Sequence, residues 1–143
     1  MNKTIAILDA EKISKIELFH RKNNFAKSLN FNFINLAQGY CLAEIENFEQ
    51  NMVNSMGCIH GGIIASILDS VMSIAANTIN KVVVTRSLNV NYINVLQPVD
   101  IKMEAEVLTS NNKTVMIKAK IYNDENILIA NATGIFSTVA KLW

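Results

Sequence analysis

Proline occurs once and glycine five times in the 143 residues, and only 17% of the chain is charged. With half of the residues hydrophobic, that scarcity excludes collagen-like, low-complexity and intrinsically disordered classes and leaves a packed globular chain. Cysteine is nearly absent as well. Cys41 and Cys58 form neither a C-x-x-C pair nor a dense framework, which reads as two free thiols in a reducing compartment. The two histidines, His20 and His60, stand far apart with no ligand-like cluster beside either, so no metal site is expected. Neither sign of charge dominates: 13 Lys and Arg against 12 Asp and Glu, the basic residues scattered, argue against a nucleic-acid partner. No apolar run approaches the ~20 residues that span a bilayer. The opening MNKTIAILDAEK has four consecutive apolar residues before Asp9, too few for a signal-peptide core. The expectation is a soluble, cytoplasmic protein that binds no membrane.

What is present organises into one α+β domain over residues 1–143, a length that suits one core. Residues 11–29 carry Ile13, Ile16, Leu18, Phe19 and Phe25 among charges, which predicts an N-terminal helical segment capping one sheet edge. Phe31 and Phe33, then Tyr40, Leu42 and Ile45 after a Gln38-Gly39 turn, predict a hairpin of two short strands. The segment from Gly62 to about Asn77 predicts a helix, free of proline and preceded by a Gly-Gly break. Four β-rich runs follow, separated by Gln97-Pro98, by Ser110 to Asn112 and by Asn123 to Asn126, and they predict meander connections. In the second run Ile101, Met103, Ala105 and Val107 alternate with Lys102, Glu104 and Glu106, so one face of that strand meets water. A curved antiparallel sheet of about six strands around a central helix accounts for this order.

One carboxylate stands out. Between Glu49 and Lys81 the only titratable side chains are Cys58, His60 and Asp69, and Asp69 sits in the apolar stretch GGIIASILDSVMSIAAN. At about 100° per residue, Gly62, Ala65, Ser66, Asp69, Ser73 and Ala76 share one stripe, and Ile63, Ile64, Ile67, Leu68, Val71 and Ile74 cover much of the rest. The small stripe makes a shallow trough around Asp69. A buried ion without partners is costly. The carboxylate is therefore either a structural group satisfied by serine hydroxyls and backbone amides, or a functional one. The preceding GCIHGG leads into the helix N-terminus, where unpaired N–H groups favour developing negative charge. His60 suits a neutral imidazole bonded within the loop better than a general base, and Cys58 lacks an orienting partner as a nucleophile.

The pattern N-x-x-G-x-x-H-G-G, from Asn54 through Gly57 and His60 to Gly61 and Gly62, with Asp69 seven residues on, resembles the hotdog-fold acyl-CoA thioesterases of the phenylacetate-pathway type. The branch that includes the human thioesterase superfamily member two is similar, and the likeness runs from about Phe25 to Ser137. The resemblance implies hydrolysis of an aromatic or fatty acyl-CoA, with no metal or cofactor. It implies that Asp69 activates the attacking water or attacks the thioester itself, and that the Gly61 N–H binds the thioester oxygen. Asn54 is implied to polarise the carbonyl, His60 to hold Asn54 and the loop, and Ser87 to assist the water. Gly62, Ser66 and Arg86 are expected in the substrate site, and Arg86, Lys113 and Lys141 are candidates for the CoA phosphates. The implied assembly is a homodimer that shares its sites between chains, extended to a homotetramer as a dimer of dimers. A non-catalytic acyl-CoA sensor with the same fold is the alternative. Such regulators usually carry a DNA-binding segment, and fewer than about 30 residues, not markedly basic, precede the first expected strand.

Overall fold

The computed structural model describes residues 5–48 and 50–143, with the Gln50 side chain left out. Helices α1 (Ala10–His20) and α2 (Asn24–Ser28) come first, followed by strands β1 (Phe31–Ala37) and β2 (Tyr40–Ile45). A 3-10 turn (Gln50–Met52) leads to helix α3 (Gly61–Asn77), and β3 (Val82–Tyr92), β4 (Ile101–Ser110), β5 (Thr114–Asn123) and β6 (Leu128–Ala140) complete the chain. The strands form a six-stranded antiparallel sheet in the order β1-β2-β4-β5-β6-β3. Helix α3 packs against five of its strands, β2 to β6. This is the curved sheet around a helix that the sequence predicts.

Two details differ from the sequence reading. The N-terminal segment is two helices: the chain breaks at residues 21–23, and Asn23 starts α2 by accepting the Ala26 N–H on its side chain. The run after α3 is not a continuous meander either. β3 pairs only with β6, at the far edge, while β4 pairs with β2 and β5. The link between β3 and β4 is too long for a tight hairpin and passes the start of α3, where Leu96 is buried and its carbonyl accepts the Ile59 N–H at 2.8 Å. The turns at Asn111 and Asn123 are true hairpin turns, each closed by the asparagine side chain on downstream N–H groups.

The β1–β2 hairpin turns at Gly39, whose φ of +75° lies in the left-handed region that costs a side chain strain. Its N–H donates to Thr78 Oγ1 at 2.8 Å, which ties the hairpin to the end of α3. On β4, Ile101, Met103 and Ala105 are buried while Lys102 is exposed, as the alternation predicts. The inner surface of α3 is Ile64, Ile67, Leu68, Val71, Met72, Ile74 and Ala75, all buried. Ile63 is only half-buried, and Ala76, expected on the small stripe, is fully buried. His20, at the end of α1, lies against the Phe31 and Phe33 rings at 5.2 and 5.0 Å, and burial lowers its pKa.

Candidate active site

The loop before α3 is built on Asn54. Its side-chain oxygen accepts the N–H groups of Met56 (2.9 Å) and Cys58 (3.2 Å), while its own N–H donates to the Cys58 carbonyl at 2.7 Å. Gly57 completes the turn with φ +76° and open space around it. With the oxygen occupied, the amide nitrogen of Asn54 is the part free to donate outward.

His60 is the N-cap of α3. Its Nδ1 accepts the Gly62 N–H at 2.9 Å, so Nε2 carries the proton of a neutral ring. The implied bond from His60 to Asn54 is absent among the described residues, and the imidazole is exposed; it fixes the helix start instead. The helix accordingly begins at Gly61, one residue before the expected start. In its first turn, Ile63 and Ile64 donate back to the His60 carbonyl at 2.9 and 3.2 Å, and Gly62 is taken by the imidazole. The Gly61 N–H has no acceptor among the described residues. The Tyr92 hydroxyl donates to the Gly61 carbonyl at 2.7 Å, with its ring alongside this glycine.

Asp69 lies eight residues further, about 12 Å along the helix axis at 1.5 Å per residue. Its Oδ1 accepts the Thr85 hydroxyl at 2.6 Å, a charge-assisted bond that fixes the carboxylate and leaves Oδ2. The serines of the stripe are not its partners: Ser66 and Ser73 donate to the carbonyls one turn back, those of Gly62 and Asp69. Asp69 stands in an open depression of about 470 Å³ lined by Ser66, Ser70 and Ala65 of α3, Thr85 and Leu88 of β3, Phe25 of α2 and Asn23, which caps α2. Asn54 and Gly61 line a different depression of about 260 Å³, together with Tyr92 and the chain that follows it. One chain thus holds the two halves of the expected site apart.

Ser87 is not beside Asp69. A bulge at Arg86 lets Thr85 pair with Phe136 and Ser87 with Ile135, so the two hydroxyl residues fall on opposite faces. Thr85, opposite the buried Phe136, looks toward α3; Ser87, opposite the outer Ile135, looks away. Arg86, Lys113 and Lys141 are all exposed, and among the described residues none makes an ion pair. Cys58 is buried in the loop with Gln97 Nε2 at 3.5 Å from its sulfur, and Cys41 is buried in the core, where burial pushes its thiol up and makes it inert. Among the described residues no group of His, Cys, Asp and Glu is placed to hold a metal, and no helix is long and apolar enough to cross a membrane.

The thioesterase superfamily model matches residues 56–130. A Saccharolobus solfataricus protein named "putative esterase" is 28% identical over 120 residues, 82% of this chain and 85% of that protein. The structure of the Escherichia coli PaaI protein from the phenylacetic acid degradation operon superposes with a TM-score of 0.85 at 17% identity, covering 92% of this chain and 95% of that one. A Streptococcus pneumoniae TIGR4 hypothetical thioesterase protein, solved with coenzyme A, gives a TM-score of 0.75 at 17% identity over 78% of this chain and 90% of its own. Alanine variants of that protein, at an aspartate and at a threonine sixteen residues later in its numbering, give 0.74 and 0.73. With the family model covering more than half of its length, from the loop before α3 into β6, the chain belongs to the thioesterase superfamily and has the hotdog fold.

Proposed function

We propose that this protein is an acyl-CoA thioesterase that hydrolyses an aromatic or fatty acyl-CoA to the free acid and CoA, with Asp69 as general base. The observation that carries this reading is the Asp69–Thr85 pair: a carboxylate in a largely apolar helix, held at 2.6 Å by one hydroxyl, with open space in front of it. Thr85 follows Asp69 by sixteen residues, the spacing of the two positions varied in the S. pneumoniae thioesterase, and that protein's structure with coenzyme A supports the substrate class.

Water attacks the thioester carbon as Asp69 Oδ2 takes its proton. The negative charge that gathers on the carbonyl oxygen is met by the Gly61 N–H, at the positive end of α3, and by the Asn54 amide. Collapse of the tetrahedral intermediate breaks the C–S bond, and the proton held by Asp69 goes to the departing thiolate. Because Asp69 and Gly61 face different depressions in one chain, the working site joins Asp69 of one subunit to Asn54 and Gly61 of a second, in a twofold dimer that further pairs into a tetramer.

The test is Asp69→Asn, which preserves shape and removes the base. Release of free CoA thiol from a panel of acyl-CoAs should fall by about 10²–10⁴ in a folded variant. Turnover within a few-fold of wild type would reject the assignment, and so would a wild-type protein that releases thiol from no member of the panel.

A further inference from the structure

Phe25 has a place that the core does not explain. Its neighbours in sequence, Ala26 and Leu29, are 1% and 2% exposed and fill the interior, whereas Phe25 is 38% exposed and lines the Asp69 depression. Helix α2 has five residues and its start is fixed by the Asn23 side chain, so the ring stands on a short, capped turn. Leu88, on β3, lines the same depression.

The remaining lining says what kind of group fits. Ser66 and Ser70 donate to the carbonyls of Gly62 and Ser66, both at 2.8 Å, and Thr85 donates to Asp69. The Asn23 oxygen is taken by the Ala26 N–H at 3.2 Å. No Lys or Arg lines the depression, so nothing there draws a phosphate. Beyond the one carboxylate and the Asn23 amide nitrogen, the site offers an aromatic ring, a leucine, an alanine and hydroxyls whose protons are already committed. That is an environment for an uncharged apolar group held next to Asp69.

We infer that Phe25 is a specificity-determining residue: with Leu88 it clamps the acyl group of the substrate, and the group it takes is a ring-sized apolar one, benzoyl-like in bulk. An aromatic acyl group has a ring to set offset or edge-on against Phe25, a contact that acetyl cannot make. The N-terminal helices therefore supply a wall of the acyl site and do more than cover the sheet. This rests on the thioesterase reading for where the reacting carbonyl lies.

The experiment compares kcat/KM for benzoyl-CoA and acetyl-CoA in wild type, Phe25→Ala, Phe25→Leu and Leu88→Ala, with thermal melts on each. Leu18→Ala, on an exposed position of α1, serves as the control for disturbance of the segment. The benzoyl-to-acetyl ratio should drop about tenfold in Phe25→Ala and in Leu88→Ala, less in Phe25→Leu, and hold in Leu18→Ala. An unchanged ratio in the folded Phe25 variants overturns the inference while leaving the thioesterase reading intact. If wild type hydrolyses neither ester, calorimetric titration with the same two compounds separates the claims. Tighter binding of benzoyl-CoA that is lost in Phe25→Ala upholds the clamp without the chemistry; equal or absent binding of the two overturns it.

Discussion

At the scale of single residues, the Asp69 carboxylate takes its hydrogen bond from the Thr85 hydroxyl, at 2.6 Å, across the gap between α3 and β3. Asp69 declares itself because nothing of opposite charge stands near it in sequence and most of its helix neighbours are apolar. Thr85 and Ser87 look equivalent in VTRSLNVNY, two hydroxyls that a regular strand places on one face. The bulge at Arg86 separates them. Burial reveals it, since Val83, Leu88 and Val90 all pack against the core although Val83 and Leu88 differ in parity, whereas Val82, Val84, Leu88 and Val90 let the sequence read as an unbroken strand. The pairing yields a contrast. Thr85→Ala removes a hydrogen bond to a charged group, ordinarily about 1.5–3 kcal/mol, so kcat for thioester hydrolysis should fall about 10–100-fold, with Thr85→Ser recovering most of it. Ser87→Ala should stay within about twofold. Equal losses in Thr85→Ala and Ser87→Ala would mean that the partner of Asp69 is not the one the geometry assigns. His60 serves the helix start for a related reason: its spacing sets it at the loop, whereas the path of the loop brings its Nδ1 to the Gly62 N–H.

At the scale of elements, α3 and most strands follow from periodicity and turn residues, whereas strand order does not. A two-residue turn such as that at Gly39 dictates which strand pairs with which; the longer link containing Pro98 does not, and it carries the chain to a strand two places inside the opposite edge. How closely α3 sits on the sheet is also invisible in a linear pattern. The approach depends on Gly134 of β6. A Cβ there would overlap the Phe136 ring and come within 2.9 Å of Met72 Sδ, both fully buried. The methionine sulfur has room to give by a rotamer change; the phenyl ring, packed on all sides, does not. Gly134→Ala should therefore destabilise the protein by about 1–3 kcal/mol, the usual cost of overpacking a core. Urea denaturation followed by circular dichroism measures it. An unchanged midpoint would show that the sheet yields at this point and that the glycine is not what sets the helix–sheet distance.

At the scale of the whole molecule, the features left over point in one direction. β3 ends the sheet with one side unpaired, which proteins ordinarily avoid or cover, and its outer surroundings are apolar at one end, with Val84 51%, Ile135 38% and Val139 57% exposed, and polar at the other, with Ser87, Asn89 and Asn91. The Gly61 N–H, without an acceptor among the described residues, and the Asp69 carboxylate, two helical turns apart on α3, open into separate depressions along the β3 edge, beside Tyr92 and Thr85. The proposed shared site requires a twofold partner set against β3 with the N-terminal end of its own α3 at the middle of this one, and the symmetry then makes two such sites at once. Complementation tests this without a structure of the dimer. On the proposed shared site, Asn54→Ala chains would lack the carbonyl donor and Asp69→Ala chains the base, so each mutant by itself should be inactive. When the two are unfolded together in equal amounts and refolded, half of the dimers pair unlike chains, and each of these contains one intact site and one doubly damaged site. Activity should recover to about a quarter of wild type, and only after refolding or subunit exchange. If unlike chains are shown to pair, by a tag on one and the mass of the complex, and the mixture stays inactive, then Asp69 and Asn54 act within one chain and the division of the site between subunits is wrong.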